Sequence, residues 1–192
     1  MLKSKLFSKI SFWVLLAIIL GLGVFLRLHA INFGLPHSFH ADEPEIVELA
    51  VKYTYEIRNI VSERDFYRLI PVSFVYGMFP TYILTFATMA FSKTVNILGK
   101  SIEKQAIYVF LRSVTALLSL TIIPVAIGIY GEIFKTKLEK MEILLIAFLT
   151  ALNWKLIVHS HYVNMDIFIT LIINTSFLTF FYFLRTKKSF FL

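Results

Sequence analysis

The chain has 192 residues, 58% of them hydrophobic, and a net charge of +7. Its mean hydropathy is +0.76, and long uncharged apolar runs recur, as expected of helices that need about 20 residues to cross a bilayer. This composition excludes a water-soluble domain, which averages about 45–50% apolar residues. The positive charges cluster beside the apolar runs, where they orient a membrane protein, so they do not predict nucleic-acid binding. The absence of cysteine excludes disulfides and thiolate metal sites.

The first segments predict a cytoplasmic tail, a retained membrane span and a surface helix. The basic tail over Met1–Lys9 predicts a cytoplasmic N-terminus. The uncharged run over Ile10–Leu26 is too long for the core of a signal peptide, and Arg27-Leu28-His29 follows it in place of a small-residue cleavage site. We therefore expect a retained first span over Ile10–Leu28. After a loop containing Gly34 and Pro36, Asp42 opens a helix with apolar residues at helical spacing on one face and charges on the other. We expect this amphipathic helix to lie along the membrane.

The remaining runs predict an all-α, polytopic membrane helix bundle that forms a single domain over residues 1–192. About four transmembrane helices are expected near 10–31, 112–134, 143–159 and 166–185. External juxtamembrane helices are expected within 32–111.

The run over 69–92 leaves the topology open, because its length suits a span whereas prolines and a glycine interrupt it. If it spans, the basic turns Lys135–Lys140 and Arg185–Lys188 fall outside the cytoplasm, against the positive-inside bias. If it lies on the outer surface or re-enters, both turns are cytoplasmic. We favour the second arrangement, which places Asp42-Glu43 and His159–Asp166 on one non-cytoplasmic face.

Adjacent carboxylates, Asp42 and Glu43, follow the first span and stand among histidines. Transfer of a sugar from a lipid phosphate needs a carboxylate that takes the proton of the acceptor hydroxyl. It also needs a cation that stabilises the departing phosphate. Either acid supplies the first group. Arg112 supplies the second, aided by Lys155 or by the histidines of the segment 159–161.

Asp166 is a second acid on the same face, and it directly precedes an apolar run. It could share a metal ion with Asp42 or Glu43, or hold a basic residue in place. Candidate ligands for a divalent metal ion are Glu43, His40 and Asp166, since carboxylates and imidazoles suit several such ions.

Each of these residues also has a purely structural interpretation. Asp42 could be only a helix cap, and Glu43 a first-turn acid favoured by the helix dipole. Arg112 could be an interfacial anchor whose charged end reaches water, and the His-x-His spacing is weak evidence for a metal site. Asp166 could be an N-cap, although an ionisable group beside a span is a functional candidate by default.

The order of these motifs resembles the N-terminal module of the GT-C glycosyltransferases. A basic tail, a span, a loop ending in Asp42-Glu43 and a surface helix are followed by the aromatic-proline segment 76–82. Leu111–Leu118, which contains Arg112, and His159–Asp166 come next. Within this superfamily the chain is most similar to the protein O-mannosyltransferase and aminoarabinose-transferase type, whose donors are polyprenyl-phosphate sugars.

The resemblance implies that Asp42 or Glu43 acts as the general base and that Asp166 is the acid of the second external loop. It implies that Arg112 lies near the donor phosphate, together with His161 and Tyr162. Many relatives carry Ser-Arg-Tyr where this chain has Ser160-His161-Tyr162, so an imidazole replaces the usual arginine.

The resemblance also implies partners and a location. The partners are a polyprenyl-phosphate sugar donor, a protein, lipid or glycan acceptor, and the lipid bilayer, with no nucleic acid. The location is the plasma membrane of a prokaryote. Family members are longer, so this chain is expected to be an incomplete module. The alternative is a non-catalytic membrane subunit or truncated relic of that fold. A transporter should bury its acids in mid-span, whereas these acids lie at span ends.

Overall fold

The computed structural model describes residues 2–37, 39–63, 67, 78–99, 101, 103–134 and 138–186. All eight regular elements in these ranges are α-helices, which confirms the predicted all-α fold for the described part of the chain. Their bounds are α1 Leu2–Leu28, α2 Glu43–Glu63, α3 Met78–Ile97, α4 Lys104–Leu120, α5 Ile122–Phe134, α6 Lys140–Ala151, α7 Trp154–Ser160 and α8 Asp166–Thr186.

Three described helical segments are long and apolar enough to cross a membrane. They are Ser11–Leu28, Lys104–Phe134 and Asp166–Thr186. Only 17% of the first and 11% of the third is buried inside the protein, so their apolar surfaces need lipid rather than water around them. These three segments therefore have the length and the exposed apolar surface of helices that could span a membrane.

A fourth span depends on how a bent pair of helices is counted. α6 and α7 meet at 49°, and together they pass the same test. α3 carries the described part of the run 69–92 and is not among the candidate spans. Residues 68–77 of that run lie outside the described ranges. Four spans, and a surface position for 69–92, stay predictions.

The second candidate span begins earlier than the sequence predicted. Helix starts at Lys104 rather than near residue 112, and a turn at Thr121 separates α4 from α5. Pro124 explains part of this break, since a proline in the first turn of α5 has no N–H to continue the ladder of α4.

The chain divides into two compact units. The first unit comprises residues 1–29, 116–158 and 167–192, and the second comprises residues 30–115 and 159–166. In the first unit, α6 packs against both α1 and α5. A β-carbon on Gly23 would lie 3.3 Å from the β-carbon of Ala151, so these small residues allow α1 and α6 to approach closely.

A fully buried arginine, Arg27, joins three helices of the first unit. Its Nε donates to Ser119 Oγ at 2.7 Å, and its Nη1 donates to the carbonyls of Ala151 at 2.8 Å and Gly23 at 3.1 Å. Ala151 is the last residue of α6, where the helix leaves carbonyls without internal partners. Arg27 thus places a cation at a helix C-terminus, which the helix dipole favours.

The second unit is built around the packing of α2 on α3. The predicted apolar face of α2 is buried, with Ile46, Ala50 and Tyr53 all at 3% exposure or less. Burial and the neighbouring Tyr82 raise the pKa of Tyr53 above its usual value, because the ionised phenolate is disfavoured there. Glu48 and Lys52 on the opposite face are exposed. α2 is therefore the amphipathic helix that the sequence predicted.

Candidate functional site

The loop before α2 turns tightly at Gly34, and at its end the adjacent acids Asp42 and Glu43 lie in different environments. Gly34 has φ +82°, and a β-carbon there would lie 2.5 Å from the Phe39 ring, so only glycine fits. α2 begins at Glu43, and the carbonyl of Asp42 accepts the backbone N–H of Ile46. The Asp42 side chain is exposed, whereas that of Glu43 is completely buried. Neighbouring carboxylates therefore have opposite environments.

The Glu43 carboxylate is held by a bidentate ion pair with Arg112. Arg112 Nε donates to Oε1 at 2.7 Å, and Nη2 donates to Oε2 at 2.6 Å. The backbone N–H of Val163 donates to Oε1 at 2.9 Å. These three charge-assisted bonds are of the strong kind. They tie three stretches of the second unit together, namely the start of α2, α4 and the segment 159–166.

Arg112 also donates hydrogen bonds to the loop that precedes α2. Its Nη1 donates to the carbonyl of Ile31 at 2.8 Å and to that of Phe33 at 2.9 Å. Its guanidinium lies 5.5 Å from the centroid of the Tyr162 ring, a distance typical of a cation–π contact. The residue is 1% exposed. Arg112 therefore offers no exposed guanidinium through which the predicted phosphate binding could occur in this structure.

The segment 159–166 carries a second polar group of residues around His159 and Asp166. His159 Nδ1 lies 2.8 Å from Asp166 Oδ2 and 3.1 Å from Asn164 Nδ2. The backbone N–H of Asp166 donates to Asn164 Oδ1 at 3.2 Å, which turns the amide nitrogen of Asn164 towards the imidazole. Nδ1 donates to Asp166 when it carries a proton and accepts from Asn164 when it does not. His159 and Asp166 are both partly exposed, so this pair remains accessible to a reactant.

The structure brings most of the predicted site residues into the second unit. Glu43, Arg112 and Tyr162 are joined by the contacts above, and the His40 ring lies 5.4 Å from that of Tyr162. His161 is partly buried in the same segment.

The candidate metal ligands do not form a metal site. Within the described residues, no group of three His, Cys, Asp or Glu side chains could hold a metal ion. Glu43, His40 and Asp166 therefore do not combine into a ligand set in this structure.

Two features escaped the sequence interpretation. The first is Asn164, whose position two residues before Asp166 is typical of an Asx-turn and signalled its contact with the backbone there. The second is structural: Arg27 lies near the end of the first predicted span and is fully buried. A charged residue within a span was the available signal.

No protein-family model, curated protein or solved structure matches this chain.

Proposed function

We propose that this chain is a membrane glycosyltransferase module of the GT-C type, which moves a sugar from a polyprenyl phosphate to an acceptor hydroxyl on the non-cytoplasmic face. One observation carries the proposal. The bond from the Val163 backbone to Glu43 fastens the segment containing His159 and Asp166 to the loop containing Asp42, although the bonded residues are 120 positions apart. An exposed acid and an acid–imidazole pair thus belong to one compact unit.

Asp42 is the general base in this proposal. Its carboxylate is exposed, whereas the carboxylate of Glu43 already accepts three hydrogen bonds. Asp42 takes the proton of the acceptor hydroxyl while that oxygen attacks the anomeric carbon of the donor sugar. The bond from that carbon to the phosphate oxygen breaks, and the polyprenyl phosphate leaves with the electron pair. The resemblance adds the expectation that the anomeric configuration inverts.

The leaving phosphate needs positive charge or hydrogen-bond donors. With Arg112 buried, the partly exposed imidazoles of His40, His159 and His161 are the groups that can supply them. The Asp166 carboxylate contacts His159 Nδ1 at 2.8 Å and so fixes the orientation of the imidazole. Glu43 and Arg112 position these groups rather than react.

The test is sugar transfer by the purified full chain in lipid nanodiscs, with a panel of radiolabelled polyprenyl-phosphate sugars as donors. Asp42→Asn should lower the rate by about 100-fold or more, as expected for loss of a general base. Glu45→Gln, which removes another exposed acid from the first turn of α2, is the matched control and should keep the rate. Equal transfer by the two variants would contradict the role of Asp42.

A second candidate function follows from the same ion pair. Glu43 and Arg112 are paired with each other and buried, so neither side chain is accessible to a substrate. The chain could therefore serve as a non-catalytic membrane subunit that needs a partner. In that case the purified chain transfers no sugar with any donor, and Asp42→Asn changes neither its stability nor its association with the partner.

A further inference from the structure

A cavity lined by hydroxyl groups lies between α2, α3 and α4 in the second unit. Its volume is about 330 Å³, within the roughly 300–1,000 Å³ that ligand pockets occupy. Thr54, Thr88 and Ser92 line it and are almost fully buried, and the largely exposed Tyr55 ring stands at its edge. Asn96 adds an exposed amide.

The hydrogen bonds of these side chains define what the cavity can bind. The hydroxyl protons of Thr54 and Thr88 are used within the protein. Thr54 donates to the carbonyl of Ala50 at 2.9 Å, with the carbonyl of Thr85 at 3.4 Å as a second acceptor, and Thr88 donates to the carbonyl of Leu84 at 2.8 Å. Both hydroxyls can therefore only accept a hydrogen bond from a ligand. Ser92 and the Asn96 amide can donate as well as accept. The cavity thus suits a ligand that carries several groups able to donate and accept, which is the property of sugar hydroxyls.

The same lining excludes a charged ligand. The two other lining residues, Val51 and Ile107, are aliphatic, so none of the seven residues carries a charge at neutral pH. A phosphate or carboxylate buried here would lack a compensating cation. The unit that this cavity holds is therefore neutral and rich in hydroxyls.

Two further cavities, which share lining residues in series, lie on the way from this one to the acidic loop. A cavity of about 410 Å³ shares Val51 and Ile107 with it, and a cavity of about 680 Å³ shares Lys104 with the second. The last of these is lined by Pro44, two positions after Asp42. Twelve residues separate Asp42 from Thr54, or roughly 18 Å of helix at 1.5 Å per residue. One sugar in the hydroxyl-lined cavity cannot reach Asp42, whereas an extended chain of sugars can.

We propose that the hydroxyl-lined cavity binds one sugar unit of a neutral oligosaccharide whose end extends towards Asp42. The ligand class rests on the cavity alone, and its use as the acceptor rests on the proposed function. Among the acceptors that the resemblance left open, a glycan is favoured over a protein or an anionic lipid.

Saturation-transfer NMR on the full chain in nanodiscs tests the proposal, because it detects weak sugar binding. The probes are unbranched neutral oligosaccharides of glucose, mannose or arabinose with one to five units, with a serine-rich peptide and an oligogalacturonate as comparisons. At least one neutral series should bind more tightly as its length increases, and the peptide and the acidic sugar should not bind. Binding of none of the neutral sugars, or preferential binding of the peptide, would overturn the proposal.

Variants of the cavity give the second part of the test. Thr88→Val, which keeps the size and removes the hydroxyl, and Ser92→Ala should weaken binding at least five-fold. Thr88→Ser, which keeps the hydroxyl, should bind the sugar as tightly as the wild type does. Thr94→Val is the matched control, since Thr94 makes the same bond within α3 from an exposed position. Equal binding by all four variants would place the sugar elsewhere and overturn the proposal.

The two proposals fail separately. If sugar binding depends on Thr88 and Ser92 but Asp42→Asn leaves transfer unchanged, the cavity stands and the proposed function fails. If Asp42→Asn abolishes transfer while Thr88→Val affects neither binding nor transfer, the function stands and the cavity proposal fails.

Discussion

The carboxylate of Glu43 and the guanidinium of Arg112 form a buried bidentate ion pair, with donor–acceptor distances of 2.6 and 2.7 Å. Both side chains are almost completely removed from solvent. Such a pair is geometrically demanding, and its energetic balance depends on every donor and acceptor being used. It holds the start of α2 against α4 and leaves the adjacent Asp42 as the acid that faces outward.

Breaking this ion pair from one side should strongly destabilise the protein. Arg112→Met leaves the Glu43 carboxylate buried without its partner, and we expect a loss of about 3–5 kcal/mol. Glu43→Leu should cost a similar amount. The double variant should lose clearly less than the sum of the two, because neither charge is then left unpaired. Thermal unfolding of the full chain in detergent measures these differences, and strict additivity would contradict a direct pair.

The His159–Asp166 pair should matter for reaction and little for stability. The pair is partly exposed, and such pairs contribute less than about 1 kcal/mol. Asp166→Asn should therefore leave the melting temperature almost unchanged, while sugar transfer falls at least ten-fold because the imidazole loses the carboxylate that contacts Nδ1 and orients the ring. Glu45→Gln, which changes another exposed acid of the second unit, is the control. A large fall in melting temperature with normal transfer would show a structural role instead.

Arg27 should stabilise the first unit through the break between α6 and α7. Arg27→Ala removes the donors that reach Ala151 and Ser119, and an unsatisfied buried carbonyl costs about 1–3 kcal/mol. Arg27→Lys should recover only part of this loss, since one ammonium cannot copy the planar fork of a guanidinium. Ile18→Ala, on the exposed face of α1, gives the baseline for the melting temperature in detergent. A melting temperature of Arg27→Ala equal to that baseline would contradict the prediction.

Tyr53 should make the protein sensitive to alkaline pH. Its pKa is raised above the ordinary value of 10.0 in the folded protein, so the unfolded chain loses this proton first as the pH rises. The stability that depends on the protonated phenol is complete below pH 10.0 and is lost above it. Tyr53→Phe should therefore lose less stability than the wild type between neutral pH and pH values above 10.0. Parallel curves for the two proteins, with the exposed Tyr55→Phe as control, would contradict this prediction.

The sequence predicted the all-α fold, the apolar helices that could span a membrane and the amphipathic α2, because each of these depends on residue patterns within one segment. It could not distinguish Glu43 from Asp42. Which of the two is buried depends on Arg112 and Val163, which lie 69 and 120 positions away from Glu43 in the chain. For the same reason Arg112 looked like an accessible phosphate ligand.

The polar lining of α3 was equally hidden from sequence interpretation. The buried polar residues of α3 lie within an apolar run, where they resemble ordinary span residues. They are Thr81, Thr85, Thr88 and Ser92. Their buried face becomes visible only once α2 packs against it, as the bond from Thr54 to the carbonyl of Thr85 at 3.4 Å shows. Side chains whose role depends on packing between distant segments can be recognised only once the tertiary fold is known.

The most direct test of the central claim, a sugar-transfer site on the non-cytoplasmic face, is single-cysteine labelling of cells with a membrane-impermeant reagent. The chain has no cysteine, so Ala41→Cys, Ser101→Cys and Thr136→Cys each report one position. We expect the first two, which are exposed in the second unit, to label in intact cells and Thr136→Cys to label only after the membrane is opened. Labelling of Thr136→Cys alone in intact cells would place Asp42 in the cytoplasm and contradict the account.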